Sequence, residues 1–391
     1  MTLFWLWVLL AVSWLLWLFI YFRVRFVEKT FPAIDSTTPT PEPASAWPFI
    51  SILVPGRNEE KDVAASLSTL AKQDYPGFEI IFIDDESTDR TMEIARAVLA
   101  GHPDGQVIAG KPRPSDRWIG KNWALAQGYE KARGDWLLFA DADVTFHPSA
   151  VRKAMAAALQ LHVDALSLLP SIDCHSFWEK STMPLFATLS VLIEPMDRTN
   201  HPEKQGSRLA GAFLLIRRDA YEDVGGHRAV SDRIVEDMAL AQKLKEHGHT
   251  IWLTYTKDLA HTRMYDSLRD LWKGLSRLSF PMLRYSVVLL LAAYGAAFFC
   301  TLVPWLALVF GTLAVALGYC GGIPMAILGA LLCLFSRYAL KRIFTVVRIN
   351  SGYAWLLPLA ASLYCLAATY AAFCHFTGKG IGWKQRVYHH S

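Results

Sequence analysis

Three long stretches of this chain carry no ionisable carboxylate, ammonium or guanidinium at all: residues 1–22, 287–336 and 349–378. Between the first and second lies a segment, roughly 47–283, with the charge density of an ordinary water-soluble domain. An apolar run of about 20 residues is what a helix needs to cross a bilayer. The pattern therefore constrains the fold to a globular domain inserted between hydrophobic ends. Composition agrees. Of the 391 residues, 53% are hydrophobic and 19% charged, and the charge deficit is local rather than general. A disordered chain and a disulfide-stapled secreted mini-protein are both excluded. A net charge of +4 with no basic arm and no interleaved aromatics excludes nucleic acid as a partner.

Residues 1–22 read as a retained anchor. No basic residue precedes the run, and bulky Tyr21 and Phe22 end it where a signal peptide would have small residues. Arg23, Arg25 and Lys29 follow, so the positive-inside rule places that flank, and the domain after it, in the cytosol of a multi-pass inner (plasma) membrane protein. Residues 23–48 form a basic flank and a Pro-rich extended linker, with Pro32, Pro39, Pro41, Pro43 and Pro48. Residues 284–378 form a second apolar region of three spans, or four if Pro304 divides a hairpin within 287–319. Residues 379–391 form a basic tail whose side stays open. The six cysteines show no metal-ligand spacing; five lie in the apolar C-terminal region and read as small fillers.

The middle, 49–283, alternates strand and helix. Residues 49–54, 79–83 and 136–140 are short strand-like runs. Helical patterns follow the first two, the second opening at Ser87-Thr88-Asp89. Such alternation implies a parallel α/β sheet, and in such sheets ligands bind beyond the carboxyl ends of the strands. Two strands end there in acidic pairs, Asp84-Asp85 and Asp141-Ala142-Asp143. The i, i+2 spacing of Asp141 and Asp143 at a strand end aims two hard oxygen ligands at one Mg²⁺ or Mn²⁺; the other reading is a solvated loop. Ser231-Asp232 opens a further helix that Gly248 ends. Its early turns carry Glu236 and Asp237, where acids suit the helix dipole and where Asp237 is also placed to act as a general base.

Several motifs together resemble the family 2 glycosyltransferases of GT-A (Rossmann-like) fold. They are Val54-Pro55-Gly56-Arg57-Asn58-Glu59-Glu60, Ile83-Asp84-Asp85-Glu86-Ser87-Thr88-Asp89, Asp141-Ala142-Asp143 and Val235-Glu236-Asp237. More specific are Trp118-Ile119-Gly120-Lys121-Asn122-Trp123-Ala124, residues 211–218 with Val224-Gly225-Gly226-His227, and Gly382 to Tyr388. These look like the membrane-bound branch with hopene-associated, carotenoid-pathway and ceramide glucosyltransferase-like enzymes. The resemblance implies that Pro55, Arg57, Glu59, Asp84 and Asp85 line a nucleotide pocket and that Lys121 lies near a phosphate. It implies that Asp141 and Asp143 face ribose and a divalent metal, and that Asp237 is the base. A Q/R-x-x-R-W motif of many relatives is reduced here to Arg277, expected at diphosphate or acceptor. His261 and Arg263 are further candidates for the pocket.

The implied activity is inverting transfer of a hexose, UDP-linked by family expectation, to a lipid hydroxyl. The apolar stretches around Phe177 and Trp272 are placed as interfacial helices that admit the acceptor, with Glu236 beside them. A processive polysaccharide synthase and a non-catalytic membrane scaffold are the alternatives. A transporter is disfavoured, because the charge-free stretches lack intramembrane ionisable groups.

Overall fold

A computed structural model describes residues 2–41, 43, 46–115, 117–193, 196–283, 285–379, 381–383 and 386–388. The chain divides into two compact units. One comprises Lys29–Ile172 and Glu194–Arg263; the other comprises Met1–Glu28, Asp173–Ile193 and Met264–Ser391. The stretches that hold Phe177 and Trp272, expected near the edge of the soluble domain, group with the apolar helices.

The first unit is built on ten strands: Ile50–Gly56 (β1), Phe78–Asp84 (β2), Gly105–Ala109 (β3), Trp136–Ala140 (β4), Val144–Phe146 (β5), Ala165–Leu169 (β6), Ser171–Ile172 (β7), Phe213–Arg217 (β8), Ile251–Tyr255 (β9) and Ala260–Thr262 (β10). Seven make one sheet in the order β3-β2-β1-β4-β8-β6-β9, and β5-β10-β7 make a second. The first four run parallel, as the strand–helix alternation predicts. β8 is antiparallel to both neighbours. The β-branched and aromatic residues of β1, β2 and β4 are buried on both faces, which explains their unbroken apolar runs.

Two helices start later than the sequence indicates. Ser87-Thr88-Asp89 do not open a helix; it runs Thr91–Leu99. Those residues brace loops instead. The Ser87 amide donates to Asp84 Oδ2 at 3.1 Å, and Ser87 Oγ accepts from the Asn58 amide at 3.1 Å. Likewise the helix expected from Ser231 runs Glu236–Glu246. The carbonyl of Ser231 is taken by the Ile119 amide at 2.8 Å and by Asn122 Nδ2 at 3.2 Å, so it is not available to start a helical ladder. Gly248, at φ +84°, closes that helix as expected.

The Pro-rich segment is extended and is strapped to its unit. Ile34 N donates to Tyr255 O at 3.0 Å and Tyr255 N to Pro32 O at 3.3 Å, extending the β9 edge. Ser36 bonds the Asp258 carboxylate through its amide at 2.9 Å, and Lys153 reaches Thr40 Oγ1 at 3.1 Å. Phe31 and Ile34 are buried.

The second unit is helical. Among the described residues, four helices are long and apolar enough to cross a membrane: Phe4–Thr30, Val287–Ala316, Gly322–Val346 and Ser351–Phe376. Residues 287–316 form one broken helix and not a hairpin. A π turn, Phe298–Leu302, sits immediately before Pro304. Proline has no N–H for a carbonyl one turn back. Two side chains of the first helix supply the missing donors: Ser13 Oγ to Phe299 O at 2.6 Å and Trp17 Nε1 to Cys300 O at 3.0 Å. Gly329 lets the next helix approach closely, since a Cβ there would lie 2.6 Å from Leu308 N. The first helix also meets the third: Trp14 packs on Phe335, Tyr21 stacks on Tyr338, and Glu28 pairs with Arg342 at 2.8 Å.

Candidate active site

The carboxyl ends of β2, β1 and β4 form one edge of the main sheet. Gly56 is in register with Asp84, and β1 lies between β2 and β4. Two strand spacings of about 4.8 Å therefore separate the Asp84 end from the Asp141 end. Gly56 O accepts from the Asp85 amide at 2.8 Å, and Arg57 Nη1 donates to Asp85 O at 2.6 Å. The Glu59 amide donates to Thr91 Oγ1 at 2.7 Å. Arg57 thus meets Asp85, Pro55 and Asp84 lie on the paired ends of β1 and β2, and Glu59 is tied to the start of the helix at Thr91. Asp84 Oδ1 is buried with no hydrogen-bond partner. A buried acceptor left open is costly and marks a place where a ligand donor fits.

At the other end of this edge, four elements converge on one ammonium. Lys121 Nζ lies 2.7 Å from Asp141 Oδ1 and 2.7 Å from Glu236 Oε1. Lys121 comes from the first turn of helix Gly120–Tyr129, Asp141 from the end of β4, and Glu236 from the first turn of its helix. The fourth element is the segment before β8, where Gly211 N donates to Asp237 Oδ2 at 2.8 Å. Asp237 Oδ1 accepts from the Met238 amide at 2.8 Å, so both carboxylate oxygens are held. Glycine at 211 gives this geometry its clearance. A Cβ there would sit 3.0 Å from Lys121 Nζ and 3.2 Å from Glu236 Oε1.

Asn122 fixes the approach of Asp237. Its Nδ2 spans the carbonyls of Val230, Ser231 and Arg233 at 2.8, 3.2 and 3.0 Å. Below lies His227, buried against Phe139 and hydrogen-bonded to Tyr221.

Charge shapes the cluster. Burial alone would lower the Lys121 pKa, but Asp141 and Glu236 outweigh it and raise it well above the usual lysine value. Burial, with the charge of Asp237, raises Glu236 against the pull of Lys121. Burial, reinforced by the Lys121 charge, pushes His227 down to about 3, so it is neutral near pH 7. Burial lowers the Arg208 guanidinium to about 10, opposed by Asp237.

Asp143 directly precedes β5, whose Val144 stands opposite Thr262 of antiparallel β10. Arg263 follows Thr262, so it leaves the ladder at the end where Asp143 enters; His261 stands opposite Thr145. Asp141 and Asp143 are both hard oxygen donors on one turn, which fits Mg²⁺ or Mn²⁺. Among the described residues no group of three or more His, Cys, Asp or Glu is assembled to hold a metal. Two carboxylates alone suit an ion whose remaining ligands are phosphate oxygens and water.

Residues 51–225 match the family model described as glycosyl transferase family 2. That stretch is similar to a family 2 glycosyltransferase domain. The chain is 26% identical over 229 residues to 4,4'-diaponeurosporenoate glycosyltransferase of Staphylococcus aureus strain USA300, covering 57% of this chain and 59% of that protein. The protein of the same name from strain MRSA252 is 27% identical over the same length. The chain thus spans about three fifths of the length of the curated relatives it matches. A mannosyltransferase from Pyrobaculum calidifontis, solved with GDP-Man and Mn²⁺, is similar in fold, with a TM-score of 0.52 at 20% identity over 92% of this chain and 97% of that one. The sheet of the first unit is accordingly GT-A-like.

Arg277, Trp272 and Phe177 belong to the helical unit. Arg277 and Trp272 lie on helix Leu268–Met282, whose apolar side buries Leu271, Leu275 and Phe280. Burial pushes Tyr265 up to about 12, against the charge of Arg277. Trp272 packs on Tyr370, and half-exposed Phe177 on Trp178 and Tyr353. Lys384 and Gln385 of the late motif, and Glu194 and Pro195 at the end of the Phe177 stretch, lie outside the described residues. The sequence reading did not single out Arg208, Gly211, Asn122 or His227 as site residues. Three of them stand within motifs it noted, and only Arg208 had no signal.

Proposed function

We propose that the protein is an inverting glycosyltransferase that moves a hexose from a nucleotide sugar, UDP-hexose first among them, to a hydroxyl of a membrane lipid. The observation that carries this reading is the Lys121–Asp141–Glu236–Asp237 cluster, with Lys121 and Asp141 inside the stretch that matches the family 2 model and Asp237 held at both oxygens. The base and ribose go to the pocket of Pro55, Arg57, Glu59, Asp84 and Asp85, where the open Asp84 oxygen accepts a ligand donor. Lys121 supplies positive charge for the diphosphate.

Asp141 and Asp143 would hold a divalent cation; GDP-Man and Mn²⁺ in the Pyrobaculum enzyme support that assignment. Such an ion, when bound, neutralises charge growing on a departing diphosphate. Asp237 accepts the proton of the acceptor hydroxyl as that oxygen attacks the sugar from the face opposite the leaving group. One in-line displacement inverts the anomeric centre. The amides of Gly211 and Met238 fix the carboxylate so that no reorganisation is needed during proton transfer.

The acceptor assignment rests on the apolar helices and on relatives named for a carotenoid-type acid. Phe177 and Trp272, on helices of the apolar unit, are assigned to the acceptor. The basic flank of the first helix, Arg23, Arg25 and Lys29, supports a cytosolic family 2 domain on an inner membrane. The decisive experiment is transfer of radiolabel from a panel of nucleotide sugars to total lipid extract by the purified chain. Label in the organic phase that disappears with Asp237→Asn supports the proposal; no lipid-soluble label from any donor overturns it.

A further inference from the structure

Two carboxylates, Asp141 and Glu236, each hold the Lys121 ammonium at 2.7 Å, and Gly211 brings Asp237 up beside them. The balance is one that a divalent cation would complete, yet a lysine holds the position. Its grip is specific: two charge-assisted bonds of 2.7 Å, with clearance that glycine at 211 gives. About a third of both the Lys121 and the Asp141 side chain is exposed, so incoming ligands reach the pair, whereas Glu236 is almost enclosed.

We infer that Lys121 is an internal stand-in for the divalent cation: it occupies Asp141 in the free protein and gives that carboxylate up only when a diphosphate draws the ammonium away. The inference deepens the glycosyl-transfer reading and rests on it. Coulomb's law supplies the reason. A divalent ion at Asp141 beside an ammonium a few ångströms away is strongly repelled, even at the effective dielectric of a partly exposed site. A diphosphate removes that obstacle, because it offers the ammonium a second anionic partner. The lysine stem is flexible enough to follow it while its backbone stays in the helix. Glu236 then acts as a positioning residue: nearly enclosed, it keeps the ammonium within reach in both states. The order of binding follows, with the cation entering together with the nucleotide and not before it. A site that fills with cation first would risk binding the wrong anion.

The test uses the full chain in detergent micelles and Mn²⁺ alone, followed by electron paramagnetic resonance. In the absence of nucleotide, Lys121→Met is expected to bind Mn²⁺ at least about tenfold tighter than the unmodified protein. Added UDP is expected to tighten Mn²⁺ binding more in the unmodified protein than in the variant, by a similar factor. Equal or weaker Mn²⁺ binding by a variant whose circular dichroism is unchanged overturns the inference. A measurement on the unmodified protein keeps it falsifiable if the variant does not fold. Acetylation of Lys121, read by mass spectrometry, is expected to be unaffected by Mn²⁺ alone and changed by UDP with Mn²⁺. If Mn²⁺ alone changes it as much, the lysine does not guard the carboxylate. Neither readout requires sugar transfer, so loss of transfer with these results intact counts against the glycosyl-transfer reading only.

Discussion

The backbone amide of Gly211 donates to Asp237 Oδ2 at 2.8 Å, joining the segment before β8 to the first turn of the helix that carries the proposed base. A bond from a backbone donor fixes the carboxylate without adding a side chain that competes for the acceptor proton. Asp237→Asn keeps the size, removes the basicity and turns its amide nitrogen toward one of the two backbone N–H donors. Turnover is expected to fall by ~10²–10⁴ while nucleotide affinity stays near that of the unmodified protein. Label transfer and equilibrium binding of UDP, measured on the same preparation, check the two halves.

Gly211→Ala probes the same contact from the other side. The new methyl group would meet Lys121 Nζ and Glu236 Oε1 at 3.0 and 3.2 Å, and the lysine terminus is the atom free to yield. The thermal midpoint is therefore expected to change little. The specificity constant is expected to drop about tenfold or more, equivalent to roughly 1.4 kcal/mol of lost transition-state stabilisation. A large loss of stability with normal turnover would contradict this.

Acid should destabilise the sheet-bearing unit through His227. In the folded state this group titrates near 3, because of burial and the Lys121 charge; unfolded it titrates near 6.5. Between those values the unfolded chain binds the extra proton. Its contribution is thus fully present above about pH 6.5 and is lost progressively as pH falls toward 3, by roughly 3 kcal/mol at pH 4. Thermal melts across that range are expected to show a steeper decline for the unmodified protein than for His227→Gln. Parallel curves would reject the assignment.

Trp17 and Ser13 should matter only because Pro304 is proline. Removing either donor leaves a carbonyl open at the π turn, at a cost of about 1 kcal/mol in a membrane setting. In a Pro304→Ala background a backbone N–H returns, and Trp17→Phe is expected to cost less. Melting of the four proteins of this cycle in detergent measures the coupling; additive effects would show the bonds to be incidental.

What the sequence revealed and what it concealed divide along physical lines. Strands β1, β2 and β4 were readable because burial on both faces demands unbroken apolar runs. The acidic pairs stood out because such residues end strands so abruptly. The start of helix Glu236–Glu246 was misjudged because Ser231, a good cap by type, spends its carbonyl on Ile119 and Asn122, more than a hundred positions earlier. The same long-range character hid the partner of Lys121. Local pattern shows which residues are acidic or basic, but pairing between Lys121, Asp141 and Glu236 is decided by the sheet that gathers them. Pro304 announced a break, yet only the donors from the first helix determine that the chain continues through it.

The strap at residues 31–40 has a practical consequence for anyone seeking a soluble version of the sheet-bearing unit. Cutting at Phe49, one residue before β1, would strip Pro32 and Ile34 from the flank of β9 and leave the Tyr255 amide and carbonyl bare. An uncovered strand border recruits other strands. Such a fragment is expected to aggregate, whereas one that begins at Lys29 keeps its own cover.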